Sequence, residues 1–155
     1  MKPHWETWAK EAKTEFPKAN SALLPLLHRI QGEEGYLSSD TIADVAHLLD
    51  LAVPYVESVV SFYSLFYQRP TGRRIIHVCT GLSCALGGSD ELMHRLEAKL
   101  GIQEGQTTPD GEYTLLEAEC LAACDKAPVA QVNLRYRESV DLEAADELLK
   151  GEVES

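Results

Sequence analysis

Apolar residues recur at helical spacing through roughly the first 70 positions. Trp5, Trp8, Ala9, Ala12 and Phe16 share one face of a first helix, which Pro17 should end. Ser21 offers a cap for a second helix carrying Leu23, Leu24, Leu26, Leu27 and Ile30. Pro25 is tolerable near its first turn, and Gly32 and Gly35 should break it. In "SSDTIADVAHLLD", Ser39 or Asp40 can cap a third helix built on Ile42, Val45, Ala46 and Leu49. A fourth starts at Pro54 and carries Val56, Val59, Val60 and Tyr63. Residues 1–70 therefore read as a helical bundle.

After "QRPTGRR" the texture changes, and a domain boundary near residue 70 is expected. "RIIHVCT" is β-branched and apolar, a buried strand ending at the first cysteine. "SDELMHRLEAKLG" reads as a helix with Ser89 as cap and Gly101 as stop. "YTLLEAEC" is a second strand behind a "TTPDGE" turn, and "PVAQVNLR" a third. "DLEAADELLK" closes the chain as a helix capped by Asp141. Residues 71–155 should thus form a small α/β layer with its cysteines on loops leaving strand ends.

Bulk composition narrows the function classes. The 155 residues are 45% hydrophobic and 25% charged, as in ordinary globular proteins. No apolar run approaches the roughly 20 residues that span a bilayer, so direct membrane insertion is not expected. The opening "MKPHWETWAKEAKTEF" is mixed in charge and lacks the apolar stretch of a signal peptide, which points to a cytoplasmic location. Fourteen basic against 25 acidic residues give a net charge of −11, unfavourable for binding phosphates. "LSSDTIADVAHLLDLAVPYVESVVSFY" has the outline of a helix-turn-helix, but its would-be recognition helix, "PYVESVVSFYSLFY", contains no Lys or Arg. Nucleic acid is excluded as a partner. An acidic surface and an aromatic-rich helix remain compatible with a protein partner.

The four cysteines carry the chemistry. They form two tight pairs, Cys79 and Cys84 in "CTGLSC" and Cys120 and Cys124 in "CLAAC". In a reducing compartment such pairs bind metal more often than they form disulfides. A redox dithiol needs one C-x-x-C pair, and neither pair has that spacing. Two loops bringing two thiolates each can close a four-cysteine zinc site or a 2Fe-2S cluster. The wider loops, made of small or turn-forming residues, favour the cluster and leave zinc as the alternative from a different class. His77, two residues before Cys79, points the same way by strand alternation, but four cysteines already fill the site. His4, His28, His47 and His94 are scattered and suggest no cluster.

"HVCTGLSC" followed by "GQTTPDGEYTLLEAECLAACDKAPVAQVN" closely resembles the E subunits of NADH:quinone oxidoreductase (respiratory complex I). These are thioredoxin-like 2Fe-2S ferredoxins, a family that includes related subunits of NAD-linked hydrogenases and formate dehydrogenases. "GYLSSDTIADVAHLLDLAVPYVESVVSFYSLF" extends the resemblance into the helical half. Ala122, where the family usually has Gly, and Ser61, where it usually has Thr, are the visible departures. The resemblance implies a thioredoxin-like 2Fe-2S domain (71–155) preceded by a helical domain (1–70), and the exposed-looking aromatic stretch "SFYSLFY" marks the latter as a docking domain. The same resemblance implies that Cys79 and Cys84 hold one iron and Cys120 and Cys124 the other. It further implies a flavoprotein partner binding FMN and NADH, alongside other peripheral-arm subunits, on the cytoplasmic side of a bacterial inner membrane. No GxGxxG opens a helix after a strand, so the chain should be one subunit of an NADH dehydrogenase without a complete active site of its own.

Overall fold

Helix starts in the N-terminal half are set by prolines and one serine. In a computed structural model, residues 2–16 and 18–150 are described, so Pro17 lies outside them. The first helix, α1 (Pro3–Glu15), opens on a proline, where the missing N–H costs no helical bond. Helix α2 (Ala19–Glu34) starts before Ser21, so that serine stands inside the first turn and does not cap it. Pro25 and Gly32 also fall within α2, and only Gly35 stops it, at φ 81. The burial of Leu23, Leu26, Leu27 and Ile30 carries the helix past both residues. Helix α3 (Ser39–Leu49) is capped one residue earlier than expected, by Ser38, whose Oγ accepts the Thr41 N–H at 3.1 Å. Helix α4 (Val53–Phe62) places Pro54 in its first turn.

Helices α3 and α4 are bent by 120° relative to each other. Their inner faces, with Val45, Ala46, Leu49, Val56 and Val60, join the α2 leucines and Trp5 in one apolar core. Gln31 then pins the exit from α4, accepting from the Tyr67 N–H (2.7 Å) and donating to the Leu65 carbonyl (2.8 Å). Within "SFYSLFY", Phe66 is buried in this core, whereas Phe62 is 80% exposed and Tyr63 and Leu65 also face solvent. Among the described residues, no single helix is long and apolar enough to cross a membrane.

The chain divides into two units, Met1–Pro70 and Thr71–Ser155. The second is built on a four-stranded mixed sheet of β1 (Arg74–Cys79), β2 (Tyr113–Ala118), β3 (Ala130–Val132) and β4 (Arg135–Arg137), in the order β2-β1-β3-β4. Strand β1 pairs parallel with β2 and antiparallel with β3. A parallel pair needs a crossover, and here it includes α5 (Leu82–Leu86) and α6 (Ser89–Leu100). Ser89 opens α6 but does not cap it; Gly88, at φ 98, is the cap residue. Leu92, Met93 and Leu96 of α6 close over Ile76, Val78 and Leu115, with α7 (Ala145–Leu148) completing that core. Asp141 anchors the approach to α7, its Oδ1 accepting the N–H groups of Glu143 and Ala144 at 3.0 and 2.7 Å.

Three elements differ from the sequence reading. The helix expected over "DLEAADELLK" is only the four residues of α7, with Ala144 and not Asp141 at its cap position. "TGLS" is not an open loop, because α5 begins within it. The expected third strand, "PVAQVNLR", turns back at Asn133 and Leu134, both at positive φ (49 and 65), and continues as β4 (Arg135–Arg137). Two successive left-handed residues make the tight turn of a hairpin. Asn133 stabilises it by accepting the Ile75 N–H (2.8 Å) and donating to the Arg73 carbonyl (3.0 Å).

Candidate metal centre

Strand register brings the cysteine-bearing segments to one edge of the sheet. The parallel β1–β2 pair sets Cys79 opposite Ala118, two residues before Cys120. The Thr80 N–H donates to the Ala118 carbonyl (2.8 Å), and the Cys79 N–H to that of Val129 (3.0 Å). The chain leaving β1, the chain leaving β2 and the chain entering β3 are therefore stitched together. Helix α5, which carries Cys84, packs on the 3-10 turn Cys124–Lys126. Open α/β sheets commonly bind ligands at the carboxyl ends of their strands.

The two pairs sit in different surroundings. Cys79 and Cys84 are each only 2% exposed and cluster with Val129, with Leu121, Ala123 and Ala127 packed against them. Cys120 and Cys124 are exposed, and all four thiols are free. Burial would push the Cys79 thiol up, but N–H groups of Leu121 and Gly81 and the neighbouring Cys84 thiol favour its thiolate and leave it below the ordinary value. Cys84 moves the opposite way, raised by burial and by its bond to Cys79, with the Val129 N–H opposing. The Ala122 N–H donates to Cys120 Sγ at 3.4 Å.

The Ala122 N–H aimed at Cys120 Sγ fits a thiolate-held cluster, because hydrogen bonds to sulfur stabilise its negative charge. Space is also reserved beside the cysteines. A Cβ on Gly81 would meet the Glu119 carbonyl oxygen at 3.0 Å, Cys79 Sγ at 3.6 Å and the Cys120 Cβ at 3.8 Å. Among the described residues, no group of three or more His, Cys, Asp or Glu is arranged to hold a metal ion. A two-iron cluster asks two thiolates of each iron. His77 is buried in β1, and burial holds its pKa below the usual imidazole value. Lys126 is exposed in the 3-10 turn. His4 does not stand alone: its Nε2 pairs with Glu33 at 2.7 Å, where Lys2 also bonds.

The small or turn-forming residues of "TGLS" and "LAA" let backbone N–H groups approach sulfur, but which of them do so was invisible in the sequence, since every residue except proline has an N–H. One signal was present. Ala122 adopts φ 56, the left-handed geometry that a glycine at this position takes more easily. A second contributor is Tyr136 on β4, whose hydroxyl donates to the Leu121 carbonyl at 2.7 Å.

Known proteins share the fold and much of the sequence. The family model described as thioredoxin-like [2Fe-2S] ferredoxin matches residues 9–152. The NADH-quinone oxidoreductase E subunit of Mycobacterium tuberculosis is 43% identical over 144 residues, covering 93% of this chain and 57% of the relative. The chain therefore spans little more than half of the mycobacterial protein's length. In Rhizobium meliloti, the E subunit numbered 2 of the same oxidoreductase is 40% identical over 139 residues, covering 90% of this chain and 83% of the relative. Among solved structures, a chain of air-oxidised NAD+-reducing [NiFe]-hydrogenase superposes with a TM-score of 0.72 at 28% identity. That match covers 83% of this chain and 22% of the hydrogenase chain.

Proposed function

The chain belongs to the thioredoxin-like [2Fe-2S] ferredoxin family, and on that premise we propose that it is an electron-transfer subunit of an NADH:quinone oxidoreductase. It holds one 2Fe-2S cluster and exchanges single electrons with the FMN of a partner NADH-oxidising flavoprotein. The observation that carries this reading is the convergence of the two cysteine loops, where a Cβ on Gly81 would meet Cys79 Sγ at 3.6 Å and the Cys120 Cβ at 3.8 Å, with the Ala122 N–H donating to Cys120 Sγ. Cys79 and Cys84 hold one iron, and Cys120 and Cys124 the other. When bound, the cluster supplies a one-electron centre whose potential is set by hydrogen bonds and exposure. Val129 and the buried pair exclude water from one side, while Cys120 and Cys124 remain near the surface.

Hydride acceptance is assigned to the flavoprotein, because no glycine-rich dinucleotide fingerprint occurs in this chain. Leu82 and Leu86, 79% and 83% exposed on α5 beside Cys84, form apolar surface of the kind a partner covers. The helical unit serves docking through Phe62, Tyr63 and Leu65, and the assembly lies peripherally on the cytoplasmic side of the membrane, with other peripheral-arm subunits. The likeness to the hydrogenase chain supports a second reading, the equivalent subunit of an NAD-linked hydrogenase.

Anaerobic purification tests the proposal. Two irons and two acid-labile sulfides per chain are expected, with an electron-spin signal appearing only on dithionite reduction. Stoichiometric zinc without iron would replace the reading with a structural site. Phe62→Asp should weaken binding to the flavoprotein and leave the cluster spectrum unchanged; undiminished binding removes the docking role.

A further inference from the structure

One peptide group links a tyrosine to a cysteine sulfur. Tyr136 lies on the edge strand β4, placed there by the Asn133–Leu134 turn and paired in register with Gln131. Its hydroxyl donates to the Leu121 carbonyl at 2.7 Å. That carbonyl belongs to the same peptide group as the Ala122 N–H, which donates to Cys120 Sγ at 3.4 Å. A hydrogen bond accepted at a carbonyl polarises the peptide and strengthens donation from its N–H. The positive φ of Ala122 (56) turns the chain immediately after this peptide. The opposite cysteine loop lies close by, since a Cβ built on Gly81 would meet both Cys79 Sγ (3.6 Å) and the Cys120 Cβ (3.8 Å). The Leu121–Ala122 peptide thus stands between Tyr136 and the Cys120 sulfur, with its carbonyl held from outside.

We propose that Tyr136 is a positioning residue that sets the redox poise of the cysteine site through the Leu121–Ala122 peptide. The inference rests on the 2Fe-2S reading above, but it concerns this chain's own donor network. A stronger N–H bond to a cysteine sulfur stabilises the reduced, more negative state. Tyr136 therefore holds the potential up, and removing its hydroxyl lowers it.

The structure supplies its own control. The Tyr113 hydroxyl donates to the Leu149 carbonyl, also at 2.7 Å, in a tyrosine–carbonyl bond that serves no cysteine segment. Tyr136→Phe and Tyr113→Phe each delete one such bond, so they separate an effect on the cysteine loop from general loosening of the unit. The full chain, purified anaerobically, is titrated by electron-spin resonance against redox potential, with iron and sulfide counted in each variant. Tyr136→Phe should keep two irons and two sulfides and shift the reduction equilibrium about two- to tenfold toward the oxidised form. At 59 mV per tenfold for one electron this is roughly 20–60 mV downward. Tyr113→Phe should leave the potential where it is. An unmoved potential in Tyr136→Phe with the cluster intact, or equal shifts in both variants, would overturn the role of Tyr136 while leaving the cluster reading standing. Absence of iron and sulfide from the unmodified chain would instead remove the reading on which the inference rests. If Tyr136→Phe loses the cluster, Tyr136→Trp, which restores an N–H donor, should recover it if the bond matters; failure to recover it counts against the proposal.

Discussion

The helical unit commits its buried apolar residues to one continuous core, from Trp5 through the α2 leucines to Val60 and Phe66. The sheet unit divides them. Ile76, Val78, Leu92, Leu96 and Leu115 pack between sheet and helices, while Cys79, Cys84 and Val129 form a separate small cluster at the strand ends. The first arrangement stabilises a shape by burying side chains. The second surrenders some of that burial so that irregular backbone can present N–H groups to sulfur, which a regular helix or strand interior cannot do because its N–H groups are already bonded.

The largest expected effect tests which unit carries the chemistry. Cys79→Ala and Cys120→Ala should each abolish the visible absorption of the purified protein, whether the cysteine is buried or exposed. An unchanged spectrum in Cys120→Ala would restrict the site to the buried pair.

Next comes a cut in the helical core. Leu27 is fully buried, so Leu27→Ala should cost about 2–5 kcal/mol by denaturant titration of helical signal. The same variant should retain its iron and sulfide. Loss of cluster in step with helical stability would show that the units are energetically coupled.

Within the cysteine loops the effects are smaller and opposite in sign. A Cβ on Gly81 would crowd the Glu119 carbonyl at 3.0 Å, so Gly81→Ala should destabilise the sheet unit by about 1–3 kcal/mol. Ala122→Gly removes a side chain from a left-handed residue at φ 56 and should stabilise the fold by up to about 1 kcal/mol. Thermal melts of the two variants should diverge in those directions. If Ala122→Gly destabilises, the alanine is contributing contacts that offset its strain.

The smallest effect belongs to an exposed ion cluster of the helical unit. Glu33 is held down to about 2, from 4.5, first by Lys2 and then by His4, with burial opposing and Trp5 assisting. Because its folded value is depressed, the stability it contributes is fully present above pH 4.5 and fades as the pH falls toward 2. Glu33→Gln should therefore lessen the acid sensitivity of helical signal in that window, and salt should reduce the difference. A mutant curve parallel to that of the parent would show that the cluster contributes nothing measurable.

The pattern of residue types located the four N-terminal helices by their period, and strands β1 and β2 and the long helix α6 by β-branched runs and bounding turn or stop residues, because burial is written in residue type. It also set out Cys79, Cys84, Cys120 and Cys124 as two pairs of possible ligands, since thiolate chemistry belongs to the side chain. It could not find α5, five residues long and too short for a period to register, nor the turn at Asn133 and Leu134. The directions of the Gly81, Leu121, Ala122 and Val129 N–H groups were equally out of reach. Those directions depend on φ and ψ, which are held by bonds between distant segments: Cys79 to Val129, Thr80 to Ala118, and Tyr136 to Leu121. Side-chain identity decided which atoms can bind metal, and only the tertiary hydrogen bonds decided where the backbone dipoles around them point.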